Sequence, residues 1–371
     1  MKNILNMCII LSILFIIFKN SSSYLIFPFK TKLSSVKDNE ENITLLIDSL
    51  LENNIYINLE IGEPKQNIDL FLHLENSLFI LSENFFNKNN SATLIILNNS
   101  QNYYSEAEGI LIKDFIHFDK YSKEEFKMII SKSISGNLSG ILGLGFGYKT
   151  ESIEYNFIMQ LKANKIINNY NCMINYTSEY EGNLIIGEYP HIIDPINYKI
   201  DDLRLCMCFS GYPFNSFQIT LNNIIFQNKS LDSVDYAEFR YEINYISGTK
   251  MLLSELDIYF SEFLQKSICF KQIILIKNIP HTYFYCDKHK LKDNLKSFPP
   301  LLFQSLDLVF TFELNYEDLF IEKGDKLILM IFFDQYGSRR WEFGKPFLKK
   351  YQFVMNRNSK TIGYYKKFEQ Q

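Results

Sequence analysis

Residues 56–81, YINLEIGEPKQNIDLFLHLENSLFIL, constrain the fold more than any other stretch of this chain. Tyr56, Ile57, Leu59 and Ile61 interleave with Asn58 and Glu60, which is the period of a half-buried strand. Gly62-Glu63-Pro64 then supplies a turn, because proline presets one backbone dihedral and glycine tolerates the other. Ile68 to Leu74 is mostly apolar and reads as a second strand buried on both faces. It runs into a polar corner, Glu75-Asn76-Ser77, and the chain turns apolar again at Leu78-Phe79-Ile80-Leu81.

The chain has 371 residues, enough for two domains or one bilobal unit. With 47% hydrophobic and 22% charged residues, it can bury a sizeable core. The 33 Phe and 24 Tyr favour strands. A net charge of -4 without an Arg-rich run argues against nucleic acid as a partner. Lys2 precedes an apolar run from Met7 to Phe18, followed by Lys19-Asn20 and Ser21-Ser22-Ser23. This pattern reads as a secretory signal peptide over 1–23, with a signal anchor as the rival reading. No later segment is apolar for long enough to predict a membrane span. The secretory route agrees with Asn-x-Ser/Thr sequons at Asn42, Asn89, Asn98, Asn137, Asn175 and Asn228, although an Asn-rich chain generates such triplets by chance.

Residues 24–54 are a lead-in or a vestigial propeptide, and the sequence leaves both readings open. Residues 84–101 read as loop, edge strand, loop around Leu94 to Leu97, and Tyr103-Tyr104 follow. Gly140-Ile141-Leu142-Gly143-Leu144-Gly145-Phe146 is the next strong signal, and Ile153, Phe157, Ile158 and Leu161 then recur at helical spacing to about Lys165. Cys172 to Tyr176 and Gly182 to Gly187 read as a hairpin. The pattern restarts at Tyr198, with strands over 217–226 and 239–245 leading into Ile246-Ser247-Gly248-Thr249. Ser254-Glu255-Leu256-Asp257 looks like a capping box for a helix that buries Leu256, Phe260, Phe263 and Leu264. Trp341-Glu342-Phe343-Gly344-Lys345-Pro346-Phe347 and a closing Thr361-Ile362-Gly363-Tyr364 are the last signals in the pattern.

Taken in order, these pieces resemble the pepsin-like aspartic proteases. The strand, IG-x-P-x-Q turn, strand and corner match the family's opening, where the corner reads Asp-Thr-Gly-Ser. On that resemblance His73 takes the first catalytic Asp position, Leu74 and Glu75 replace Thr and Gly, and Ile246 takes the second Asp position ahead of Ser247, Gly248 and Thr249. Tyr103 or Tyr104 is the family's flap residue, although a pair of strand tyrosines packed across a hairpin gives the same pattern. The resemblance also pairs Cys269 with Cys286. It leaves Cys172, Cys206 and Cys208, an odd number, so at least one is free or pairs between chains.

The implied fold is mostly β: a bilobal pepsin-like acid-protease fold, two antiparallel lobes (55–190 and 198–366) around a central cleft. Aspartic proteolysis needs two facing carboxyls that share one proton. His73 and Ile246 do not supply them, and Asp69, Glu75 and Glu242 sit too far along the chain to substitute without a shift of register. The competing reading of His73 is a strand-end residue hydrogen-bonded to backbone. No Gly-x-Ser-x-Gly, phosphate loop or His-Glu-x-x-His occurs, no Cys-x-x-Cys is present, and the five His are scattered. The expectation is a secreted, catalytically inactive protein, without metal or other cofactor, in an extracellular or lysosome- or vacuole-like compartment. It binds a peptide or protein ligand in its cleft. The alternative is an active aspartic endopeptidase with variant catalytic residues.

Overall fold

A computed structural model describes residues 24–31, 43, 47, 50–51, 54–74, 77–103, 107–119, 122–132, 134, 138–145, 155–207, 217–231, 235–291, 295–306, 311–336, 340–356 and 358–365. The signal-peptide reading, Asn42, Asn137, Tyr104, Glu75 and Cys208 lie outside them. The fold is mostly β, built on two large sheets of 13 and 12 strands.

The opening strand forms as its alternation dictates. Across Ile55–Ile61 every odd-numbered residue is buried and Asn58 is exposed. The chain turns at Gly62, whose φ is +79°. A Cβ there would stand 2.6 Å from Ser91 Oγ and 3.0 Å from Asp114 Oδ2, so glycine is required by space as well as by conformation. Strand Gln66–His73 returns antiparallel, with Leu59 opposite Ile68. Its burial alternates up to Leu70; then Phe71 and Leu72 are both buried as the strand passes under the corner.

The first sheet does not end with the first half of the chain. Beyond Leu25–Thr31, Glu181–Ile186 and Asn171–Tyr176 it continues through Gln352–Asn356, Thr361–Tyr365 and Leu203–Met207. Val354 pairs with Met173, and Leu205 with Gly363. The pattern break between 190 and 198 is thus followed by chain that returns to the first sheet before entering the second. One large apolar core spans both sheets. At their junction Phe239 meets Phe353 at 4.6 Å between ring centroids, and Tyr241 Oη donates to Met355 Sδ at 3.7 Å.

Two elements start elsewhere than the sequence suggests. The long helix is Lys250–Gln265 with Thr249 at its N-cap, and Ser254 lies inside it, donating through Oγ to Lys250 O at 3.1 Å. The expected capping box is therefore corrected to a cap five residues earlier. Leu252, Leu256 and Phe260 are its buried residues, while Phe263 and Leu264 are partly buried. The earlier helix is the shorter Phe157–Ala163, because Asn156 caps it and its side chain accepts from Met159 N.

Candidate active-site corners

Each half of the chain contains one corner, made by a strand that enters, a loop, and a strand that leaves, with a third strand between the two that ends at or just before a glycine. In the first half Gln66–His73 enters, Phe79–Ser82 leaves, and Gly140–Gly143 lies between them. The inner strand pairs parallel with the entering strand, Leu72 opposite Leu142 and His73 opposite Gly143. It pairs antiparallel with the leaving strand, Phe79 opposite Leu142. Leu144 N donates to His73 O at 2.8 Å, and Gly143 N donates to Leu78 O at 2.9 Å. Asn156, fully buried, ties the corner to the helix: its Nδ2 donates to Ser77 O at 2.9 Å and Gly143 O at 3.2 Å. The sequence reading missed Asn156. The available signal was an Asn directly before an apolar helical run.

His73 is half-buried, with its ring edge-on to Phe71 at 5.9 Å. Leu74 is fully buried, so no hydroxyl stands at that point of the corner. Asp69 is exposed four residues before His73 on the same strand, and its Oδ1 accepts from Asn58 Nδ2 at 2.9 Å.

The second half repeats this plan with Asp235–Phe239 entering, Ile246–Gly248 leaving and Arg340–Phe343 between them. Phe239 stands opposite Phe343 in parallel register, and Ile246 stands opposite Phe343 in antiparallel register. Gly344 N donates to Tyr245 O at 3.1 Å, and Arg240 N donates to Phe343 O at 3.0 Å. Phe343 thus matches Leu142, Phe239 matches Leu72, and Ile246 matches Phe79. The residue equivalent to His73 is Arg240. In both halves the leaving strand begins six residues after that position. Ile246 therefore does not occupy the place equivalent to His73, and the pairing of those two residues is corrected. Gly344 is needed where it threads this loop, because a Cβ would stand 2.2 Å from Tyr245 O and 2.6 Å from Ile243 O.

Residues 239–245 mislead as sequence. Their apolar residues alternate, but 240–245 form the corner loop rather than a strand. Tyr241 enters the main core, whereas Ile243 and Tyr245 enter a separate cluster with Tyr283, Met330 and Phe332. Ile47, Leu50 and Leu51 of the lead-in belong to that cluster, and Leu51 O accepts from Asn244 N at 3.0 Å. Ile47, Leu50 and Leu51 thus cover part of the second corner.

The second corner is a buried ion cluster. Arg240 and Glu242 are each 8% exposed, and Arg240 Nε donates to Glu242 Oε1. Arg240 Nη1 lies 3.5 Å from Glu342 Oε1 and 4.0 Å from Glu238 Oε2. Arg340 Nη2 bridges Glu238 and Glu342, at 3.1 Å from the latter. Glu242 Oε2 is buried and accepts no hydrogen bond among the described residues. Burial, and then Glu342, push the neighbouring Tyr245 phenol well above its ordinary pKa. A guanidinium does not act as an acid or base in proteins, and here it pairs with Glu242. The first half has Phe71 and Ile141 where the second has Glu238 and Glu342.

The remaining site residues fall as follows. Ser247 and Thr249 are buried, and Gly248 packs against Phe333. Tyr103 lies on the strand Ile95–Tyr103, opposite Ala107, at the end of a long hairpin. Cys269 and Cys286 face each other across a hairpin and form a disulfide. Cys172 is a free, buried thiol that burial pushes up to about 12. Asn89, Asn98 and Asn228 are exposed, and Asn175 is half-buried. A surface groove lined by Lys113, Lys127, Met159, Gln160 and Tyr170 contains none of the corner residues. Among the described residues, no three His, Cys, Asp or Glu are grouped to hold a metal ion, and no helix is long and apolar enough to cross a membrane.

Two sheets, each with a strand-glycine-strand corner related by a pseudo-repeat, define the class: a bilobal pepsin-like β protein. The family model for eukaryotic aspartyl proteases matches residues 56–367, and the chain belongs to that family. No curated protein matches it significantly.

Proposed function

We propose that this is a secreted pepsin-like protein that has lost aspartic proteolysis and binds peptide or protein partners in the cleft between its lobes. The observation that carries the reading is Arg240 at the corner position equivalent to His73, neither of them a carboxyl. On this reading the two catalytic Asp places hold His73 and Arg240. The nearby Glu242 is bound to a guanidinium and cannot serve as the shared-proton partner that water activation needs. An extended peptide can still be held by backbone pairing, with side-chain pockets choosing among sequences. The flap hairpin that ends at Tyr103 and the buried Ser247-Gly248-Thr249 segment are the parts assigned to that cleft.

Three features support the secretory route. The family is typically secreted or lysosomal. The apolar run from Met7 to Phe18 has the form of a signal peptide. The Cys269–Cys286 disulfide suits an oxidising compartment. On the same reading residues 24–54 are a lead-in or a vestigial propeptide, the lobes are 55–190 and 198–366, and the exposed sequons are the glycan acceptors.

Binding is tested by incubating the secreted protein with pooled decapeptides from about pH 3 to 7, the range that brackets the upper pKa of such carboxyl pairs. Bound material is then separated by gel filtration and read by mass spectrometry. A defined subset of peptides is expected to co-elute intact. Retention of none at any pH would remove the binding reading.

A further inference from the structure

We propose that Asn98 carries an N-linked glycan that shields the open edge of the first sheet. Strand Ile95–Tyr103 is the last of that sheet, pairing only with Ala107–His117 among the described residues. An open edge presents unpaired backbone groups on which another chain can add. Here the edge is also apolar: Ile95, Ile96 and Leu97 are 49%, 51% and 43% exposed. Folded proteins commonly guard such edges with charge, yet the nine residues IILNNSQNY contain none. The outer strand Cys269–Ile276 of the second sheet, which exposes Ile273 and Leu275, does carry a charge: Lys271, held by Asp257 at 2.7 Å.

Two register breaks flank Asn98, one between Ile96 and Asn98 and one between Asn98 and Gln101. The sequon Asn98-Asn99-Ser100 therefore begins at an exposed residue between two bulges, where the ladder is already interrupted. Bulges alone leave Ile95 to Leu97 uncovered, whereas a bulky hydrated glycan beside them blocks edge-on approach. Two other described sequons sit differently. Asn175 Oδ1 accepts from Gln352 Nε2 at 2.6 Å inside the sheet, and Asn228 lies at an exposed turn where its φ is +60°.

In the transfer, Asn98 Nδ2 bonds to C1 of an oligosaccharide carried on a lipid diphosphate. The C1–O bond to the diphosphate breaks, the amide nitrogen gives its proton to a base, and the lipid diphosphate leaves. That co-reactant belongs to the secretory pathway, so the inference rests on the secretory reading above.

The test uses the full chain expressed in a secreting eukaryotic host. Exported protein is treated with peptide-N-glycosidase and digested, and the Asn98 peptide is examined for conversion to Asp. Occupancy is expected. Asn98→Gln and Ser100→Ala remove the sequon at two different residues. Both are expected to raise the oligomeric fraction several-fold by light scattering, with near-ultraviolet dichroism unchanged. Adding Ile96→Lys to Asn98→Gln should return the monomer, and Asn228→Gln alone should leave the oligomeric state as it was. Exported protein with Asn98 bare overturns the shield and leaves the secretory reading standing, whereas failure of export overturns both. Occupied protein whose two sequon variants stay monomeric overturns the shielding role.

Discussion

Replacing Arg240 by methionine is expected to lower stability by about 3–5 kcal/mol, the usual cost of removing one partner from a buried ion pair. Glu242 would keep its buried carboxylate with no cation on Oε1, and its Oε2 already accepts no hydrogen bond among the described residues. Glu238, 1% exposed, would lose the Arg240 guanidinium and keep its pairing with Arg340. Burying a carboxylate without compensation is costly, so the chain should open the corner or take up a proton. Adding Glu242→Gln to Arg240→Met is expected to recover part of the loss, because it removes the stranded charge. Urea unfolding of the three proteins checks this, with midpoint and slope compared. A single variant within about 1 kcal/mol of the parent would show that the cluster is solvated rather than buried.

The second large effect is expected between the halves. Lys345 follows the corner glycine and is 3% exposed, and its Nζ lies 2.6 Å from Glu179 Oε1. Glu179 belongs to the first half and also binds Lys349. Burial lowers the Lys345 pKa, and Glu179 opposes that shift. Glu179→Gln would keep a neutral acceptor for Lys345 Nζ but remove its countercharge, leaving the cation beside the Tyr180 and Tyr176 rings at 5.2 and 5.9 Å. Lys345 is buried but the Glu179 side chain is 37% exposed, so solvent screening cuts the expected cost to about 1–2 kcal/mol. Lys349→Ala should cost under about 1 kcal/mol, because that side chain is 44% exposed. Thermal unfolding distinguishes the two, and equal effects would mean that burial of Lys345 does not govern this contact.

These two clusters also mark what the sequence could and could not reveal. The strand Ile55–Ile61 was legible because one buried face imposes a period of two on its residues. The hairpin disulfide was legible through the family resemblance, and Cys269 does stand opposite Cys286. Arg240 was hidden because Phe239, Tyr241, Ile243 and Tyr245 alternate as a strand would. In the fold, alternate residues of that loop enter two different cores, which a local period cannot express. The identity of the second corner residue is fixed by its pairing with Arg340–Phe343, a hundred residues further along the chain, and that register is tertiary information. The Lys345–Glu179 contact and the return of Leu203–Met207 to the first sheet are also long-range and leave no local pattern.

The claim at the centre of this account is that the corners hold no working carboxyl pair. The most direct measurement is turnover of a mixed fluorogenic peptide library by the purified parent protein from about pH 3 to 7, with and without pepstatin. His73 and Arg240 at equivalent corner positions predict no pepstatin-sensitive cleavage at any pH. Cleavage that rises toward acid pH and is abolished by pepstatin would contradict it.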